Sequence, residues 1–328
     1  MREFQRLGWT IPPLGIGTFA MGGTALAGGT QKGWPGVDPA EARRGMEVVL
    51  DGGIGLIDTA DVYGAGHAEM ELGDLLGARR EKVLLATKFG KRMNEHTRER
   101  LPGDVVDADD VVAACEGSLR RLKTDRIDLY QLHINALDPA ISDGIQAALE
   151  RLVEDGKIRA YGWSTDSVAC AETWTGSPRF GAVQMRLNVF DGVQDLLAMA
   201  EREGLAVLCR EPLAQGILTG KYGASSQLAE GDVRKTKWNL TEGREARRLA
   251  TYEALREWLT IGGRTPVQGA LGWLMARSPN TLPIPGFKTE VQVRDILGAL
   301  EHGPLPQQAM DEIAAIMAAH TDNHQDPS

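Results

Sequence analysis

The chain is expected to fold as one α/β unit over residues 1–328: a (β/α)8 TIM barrel with an N-terminal β-hairpin and extra C-terminal helices. Three observations predict this. Eight short apolar runs recur, at 14–19, 54–58, 82–87, 127–132, 158–163, 182–185, 206–209 and 282–284. Stretches with apolar residues at helical spacing separate most of them, and such alternation builds a parallel sheet covered by helices. Three consecutive runs end on ionisable side chains, as strands do at the rim of a barrel where ligands bind. An open doubly wound sheet would instead need a phosphate loop running straight into a helix. No helix follows Gly15-Ile-Gly17-Thr-Phe-Ala20, and Gly28-Gly-Thr-Gln-Lys-Gly33 lacks the closing Gly-Lys-Ser/Thr.

The elements follow in order. Residues 4–14 alternate loosely and are broken by Gly8 and Pro12-Pro13, which suits a hairpin. After the first core strand, residues 22–36 are rich in glycine and read as a loop. Asp38-Pro-Ala-Glu41 is a helix start, with Asp as cap, Pro in the first position and Glu in the third. That helix runs to about residue 50 and stops at Gly52-Gly53, and the run beginning at Ile54 is the second strand. A helix over 68–77 buries Met70, Leu72, Leu75 and Leu76, and the strand after it ends on Lys88. A polar loop follows, then Val112, Cys115, Leu119 and Leu122 at spacings of one helical face. The next strand ends on His133, a helix over 139–155 stops at Gly156, and the strand at 158–163 ends on Ser164. Cys170 and Trp174 mark a short helical segment, and the strand at 182–185 carries Gln184. Val193, Leu196, Leu197 and Ala200 form a helical face before the strand that ends on Arg210. Residues 212–242 are polar and aperiodic. Helices over 244–260 and 266–277, the last strand, a helix near 291–300 and a final one near 306–319 complete the chain, with a frayed tail from His320.

Composition narrows the function. A hydrophobic content of 42% is enough for a large core, and a net charge of −9 argues against nucleic-acid or anionic-membrane surfaces while allowing a local basic pocket. Cys115, Cys170 and Cys209 are far apart and no Cys/His ligand spacing occurs, so neither disulfides nor a metal site are expected. The N-terminus lacks an apolar signal core and no long charge-free apolar run exists, which makes a cytoplasmic, non-membrane protein the expectation.

Asp58, nearby Tyr63, Lys88 and His133 lie at or just beyond three successive strand ends, so a parallel barrel would bring them together on one rim. They suit a proton-donating unit. A free tyrosine has a pKa of about 10, and a cation beside its hydroxyl favours the phenolate. Asp58 would keep Lys88 charged, which suits hydride transfer with protonation of a carbonyl oxygen better than Schiff-base chemistry. His133 could donate a hydrogen bond to that oxygen. Asp61 has no chemical role in this scheme and is expected only to shape the loop.

At these residues the chain resembles a known family. Asp58-Thr-Ala-Asp-Val-Tyr63-Gly, Lys88 and Leu132-His133 are similar to the signature of the aldo-keto reductases, NAD(P)H-dependent (β/α)8 barrels. Gly15-Ile-Gly-Thr18, Gly162-Trp-Ser164, Val183-Gln184, Pro212-Leu-Ala-Gln-Gly-Ile-Leu-Thr-Gly220-Lys221 and Ile284-Pro-Gly286 extend the likeness over nearly the whole chain. The resemblance implies an oxidoreductase that reversibly reduces a small-molecule aldehyde or ketone. Tyr63 would be its general acid, supported by Lys88 and Asp58, with His133 orienting the carbonyl. It implies nicotinamide and ribose contacts from Gly17, Thr18, Phe19, Asp58, Ser164 and Gln184, with Arg210 where relatives place a stacking aromatic. Pro212, Leu213, Gln215, Gly216 and Leu218 would cover the pyrophosphate, and Gly286, Lys288, Thr289 and Gln292 the adenosine end. Lys288 and Thr289 at a helix start suit a 2′-phosphate, so NADPH is expected over NADH. Phe19 and Trp34 are expected in the substrate pocket. Thr165, Ile296 and Arg186 depart from the family's usual Asn, Asn and Glu. The family also contains potassium-channel beta subunits, so a non-catalytic or dual-role cofactor-sensing module is the alternative.

Overall fold

Eight parallel strands close on themselves in a computed structural model of the chain, which describes residues 1–228, 232, 234, 235 and 238–322. In chain order, β1 (Arg2–Phe4) and β2 (Trp9–Ile11) form an antiparallel hairpin. Strand β3 (Gly15–Gly17) follows, then a second hairpin of β4 (Thr24–Ala27) and β5 (Thr30–Gly33). Helix α1 (Pro39–Asp51) leads to β6 (Leu56–Asp58), and α2 (His67–Leu76) to β7 (Leu84–Phe89). A third hairpin, β8 (Lys91–Asn94) and β9 (Glu99–Asp104), precedes α3 (Ala108–Leu122) and β10 (Ile127–Leu132). Next come α4 (Pro139–Glu154), β11 (Ile158–Ser164), α5 (Val168–Glu172), β12 (Phe180–Arg186), α6 (Gln194–Glu203) and β13 (Ala206–Arg210). The chain ends with α7 (Gly243–Leu259), α8 (Pro266–Arg277), β14 (Thr281–Pro283), α9 (Glu290–His302) and α10 (Gln307–Asp322). No helix among the described residues is long and apolar enough to cross a membrane.

Helix starts follow local chemistry. Asp38 and Asp138 accept from the amides of Ala40 and Ala140, both at 2.9 Å, and each precedes a proline in the first helical position. Thr265 and Gln268 form a reciprocal capping box ahead of α8, again with proline first. Each device satisfies amides that a helix leaves unpaired at its start.

The barrel order is β3-β6-β7-β10-β11-β12-β13-β14, and a parallel bridge between Gly17 and Gly286 closes the ring. Alternate residues point inward. The lower interior layer is Leu56, Ala86, Leu129, Ala160, Ala182, Leu208 and Leu282, packed against Phe4, Trp9 and Ile11 of the first hairpin. The hairpin therefore plugs the N-terminal end of the barrel, and the small alanines make room for it. Further along the strands the interior turns polar, with Asp58, Lys88, Gln131, Gln184 and Arg210 two residues on and Ser164 four residues after Ala160. The larger core lies between strands and helices. A satellite core forms between α7, α8 and α10 and includes Leu218, Tyr252 and Leu255.

Residues 22–36 are more than a loop. Strands β4 and β5 join the third hairpin in a four-stranded sheet of order β5-β4-β9-β8, where a polar loop was also expected. These strands are largely exposed and lack apolar alternation, so the periodicity that marks a buried strand is missing. The β4–β5 turn is made by Gly28 and Gly29, with φ of 57° and 72°, a conformation glycine enters without steric cost. Helix α10 continues through His320 to Asp322, so fraying does not begin at His320 as expected, and the rest of the tail lies outside the described residues.

Candidate active site

Strand parity places the site. Asp58 ends β6, and Lys88 lies inside β7 in the same inward phase, one step short of the strand's end. Both are essentially excluded from solvent. A buried lysine is costly unless paired, and this one is bonded fully. Its Nζ donates to Asp58 Oδ2 at 2.7 Å, to the Thr59 carbonyl at 2.8 Å and to Tyr63 Oη at 3.2 Å. Burial pulls the Lys88 pKa down, but Asp58 and Tyr63 together hold it above the usual lysine value. Lys88 is thus a charged donor. An ammonium so held has no free pair with which to attack a carbonyl, which disfavours the Schiff-base alternative.

Tyr63 reaches the site from the loop after β6. Two glycines let it do so. Gly64 has φ of 63°, and a Cβ there would meet the Gly22 carbonyl oxygen at 2.1 Å; one on Gly22 would meet the Tyr63 backbone at 2.7 Å. Arg98, from the β8–β9 turn, donates to the Gly22 carbonyl at 2.8 Å and the Gly64 carbonyl at 3.4 Å, clasping the two loops. The Tyr63 ring lies 4.8 Å from Lys88 Nζ, with Phe19 at 4.9 Å and His133 at 6.1 Å between ring centroids. Here the structure corrects a sequence-based expectation. Burial raises the Tyr63 pKa; Lys88 pulls it down and Asp58 pushes it up, and the outcome lies above the ordinary phenol value. The free site therefore holds the phenol protonated.

His133 follows β10 and donates its backbone amide to the Phe89 carbonyl at 2.6 Å. Burial, then the cations Lys88 and Arg210, keep its imidazole well below the usual pKa, hence neutral. Its Nδ1 is buried without a partner among the described residues.

The other predicted positions distribute as follows. Thr18 donates its amide (2.9 Å) and hydroxyl (3.2 Å) to the Asp58 carbonyl. Ser164 and Gln184 are directly paired across β11 and β12, and Gln184 Nε2 donates to Asp58 Oδ1 at 2.9 Å. Thr165, in place of the family's asparagine, turns its hydroxyl to the Asn135 carbonyl and accepts from the Ser167 amide at 2.9 Å. Arg210 is ion-paired to Asp166 and lies 3.5 Å from Glu211. Gln215 and Gly216 have φ of 55° and 108°, following Pro212 and Leu213. The Leu218 side chain is wholly buried in the satellite core, so only its backbone could face a ligand. Thr289 caps α9, and Gln292 Oε1 accepts from the Lys288 amide at 2.7 Å.

Lys288 and Trp34 meet, with Lys288 Nζ 4.5 Å from the Trp34 ring centroid. Arg234, paired with Asp232, stacks on the same ring at 4.7 Å, and Phe19 stands 6.3 Å from it. Trp34 thus bridges the aromatic rings of Phe19 and Tyr63 and a cationic corner. Lys288 is half-buried with no carboxylate among the described residues at ion-pair distance, and burial and then Arg234 lower its pKa. An unneutralised cation at a helix start is a fit place for a phosphate.

Gln131 was missed from the sequence. It is fully buried and donates to Asp58 Oδ1 at 3.2 Å. The available signal was parity: it precedes His133 by two in an otherwise largely apolar strand.

Comparison with known proteins agrees with this fold. The sequence profile of the aldo/keto reductase family matches residues 13–318. The aldo-keto reductase yakc of Schizosaccharomyces pombe, whose name carries NADP(+), is 30% identical over 300 residues, covering 89% of this chain and 84% of the relative. The structure of glycerol dehydrogenase AKR11B4 from Gluconobacter oxydans superposes with a TM-score of 0.86 at 27% identity, covering 100% of this chain and 98% of that one. Holo aldo-keto reductase AKR11C1 from Bacillus halodurans gives 0.73 at 28% identity, with 93% and 91% covered.

Proposed function

The chain belongs to the aldo/keto reductase family, and from that premise we propose that it reduces an aldehyde or ketone to the alcohol with NADPH, Tyr63 giving the proton. The observation that carries this reading is the buried line of contacts from Asp58 through Lys88 to the Tyr63 hydroxyl. NADPH, when bound, supplies the hydride. The chain's own residues do the rest. Tyr63 holds its proton in the free site because burial raises its pKa, so it enters the reaction as an acid. As the proton moves to the carbonyl oxygen, the Lys88 ammonium at 3.2 Å stabilises the phenolate left behind. Asp58 keeps Lys88 charged and in place. Neutral His133 offers an N–H to the same oxygen without adding a competing charge.

For the cofactor, Gly17, Thr18, Phe19, Ser164, Gln184 and Arg210 surround the nicotinamide end, and backbone at Pro212, Leu213, Gln215, Gly216 and Leu218 covers the pyrophosphate. Gly286, Lys288, Thr289 and Gln292 hold the adenosine end. Two observations support NADPH over NADH: Lys288 at the start of α9, with no carboxylate among the described residues at ion-pair distance, and the NADP(+) in the name of the fission-yeast relative. Phe19 and Trp34 wall the carbonyl pocket, Trp34 also facing Lys288.

The test follows NADPH oxidation with a panel of activated aldehydes and ketones. Tyr63→Phe is expected to lower turnover by about 10²- to 10⁴-fold, the usual worth of a general acid, while NADPH still binds by fluorescence titration. Wild-type turnover in that variant would sink the assignment.

A further inference from the structure

Asp58 Oδ1 accepts from two buried amides, Gln131 Nε2 at 3.2 Å and Gln184 Nε2 at 2.9 Å. Gln184 Nε2 also donates to Gln131 Oε1 at 3.3 Å. All three residues are at most 2% exposed. An ionised carboxylate only accepts, so both glutamines must turn their nitrogens toward it. The two hydrogens of Gln184 Nε2 are then taken, one by Asp58 and one by Gln131. Its Oε1 is left as an acceptor, turned away from Asp58, and no donor among the described residues is bonded to it. Among the described residues, Gln131 has no side-chain hydrogen bonds other than these. Burying an amide is costly unless it is bonded, and here the bonds run only to the proton-donating unit and to its neighbour Gln184.

We propose that Gln131 is a positioning residue: it fixes the outward face of Gln184 as a hydrogen-bond acceptor for the nicotinamide carboxamide and ties that contact to Asp58. The proposal rests on the NADPH-dependent reading above. It makes docking of the nicotinamide end and alignment of the Asp58–Lys88–Tyr63 line one hydrogen-bonded event. Gln184 cannot rotate without releasing Asp58, and Asp58 holds the ammonium next to the phenol.

The experiment compares two ligands by fluorescence and calorimetric titration: NADPH, and adenosine 2′,5′-bisphosphate, which lacks the nicotinamide. Gln131→Met keeps the side-chain length and removes the amide. It should weaken NADPH about three- to tenfold, the worth of a net hydrogen bond, and leave the bisphosphate unchanged. Unchanged NADPH affinity, or equal loss of both ligands, would overturn the proposal. Gln131→Glu provides the second arm. The new carboxyl beside Asp58 shares a proton at low pH and still donates, then repels Asp58 once ionised. Its NADPH affinity should be near wild type at the acid end and fall with rising pH, more steeply than in wild type. A profile parallel to wild type would equally overturn the proposal. Failure of the parent reading looks different, because wild-type protein would then not oxidise NADPH with any carbonyl.

Discussion

At the scale of single residues, the site is governed by which charges are neutralised. Asp61, three residues after Asp58, is buried and accepts the Val62 amide at 2.6 Å. Glu69 lies near it, but the guanidinium that could serve both, Arg121, donates to Glu69 and Glu95 at 2.7 and 3.0 Å. Burial, then Glu69, push the Asp61 carboxyl up to about 8. The sign follows. The folded protein keeps this proton up to about pH 8, whereas the unfolded chain releases it near the ordinary value, about 4. Between those values the folded state binds more protons, so stability falls as pH rises. Asp61→Asn should flatten the fall between about pH 5 and pH 8 in denaturant titrations; parallel curves for the two proteins would refute the buried proton. Lys288 is the opposite case, a cation over the Trp34 ring with no carboxylate among the described residues at ion-pair distance. Lys288→Ala should weaken NADPH by about tenfold or more, the range of a charge-assisted bond, and leave NADH nearly untouched. Equal weakening of both cofactors would remove the 2′-phosphate contact.

At the scale of elements, the tyrosine loop depends on close backbone approach. Gly64 and Gly22 touch, and Arg98 from the third hairpin ties both carbonyls. Gly64→Ala must shift one loop and strain a left-handed backbone, costing roughly 1–3 kcal/mol. Gly53 has a similar φ of 72° with nothing within 4 Å of a Cβ, so Gly53→Ala carries the backbone strain alone. Thermal melts should rank Gly64→Ala below Gly53→Ala, and only the former should lose turnover. Identical behaviour of the two would mean the contact is unimportant. The hairpin that supplies Arg98 and the β4–β5 hairpin beside it were hidden in segments read as loops, because exposed strands need no apolar alternation to form.

At the scale of the whole molecule, the barrel is stabilised at one end and presents the candidate site at the other. Phe4, Trp9 and Ile11 fill the lower interior, while the polar layer above carries the site. Trp9→Ala should therefore cost about 3–5 kcal/mol in urea unfolding, as for other large buried aromatics, with kcat little changed while the protein remains folded. A large fall in kcat without loss of stability would contradict this separation of the ends. The barrel strands were readable because each of them is a short apolar run between turn residues. The three strand-end groups and Tyr63 were readable because ionisable side chains interrupt those runs.

From the sequence alone came the eight-stranded barrel, its family likeness and the quartet Asp58, Tyr63, Lys88 and His133, since period and residue type are local properties. Only the tertiary structure decided which partners neutralise whom. Gln131 became a neighbour of Asp58 across 73 residues of chain. Trp34 turned out to face Lys288 as well as Phe19. Burial outweighed Lys88 at the Tyr63 hydroxyl and left the phenol protonated. Desolvation and long-range contact depend on how distant segments pack, and no local pattern of residues records that.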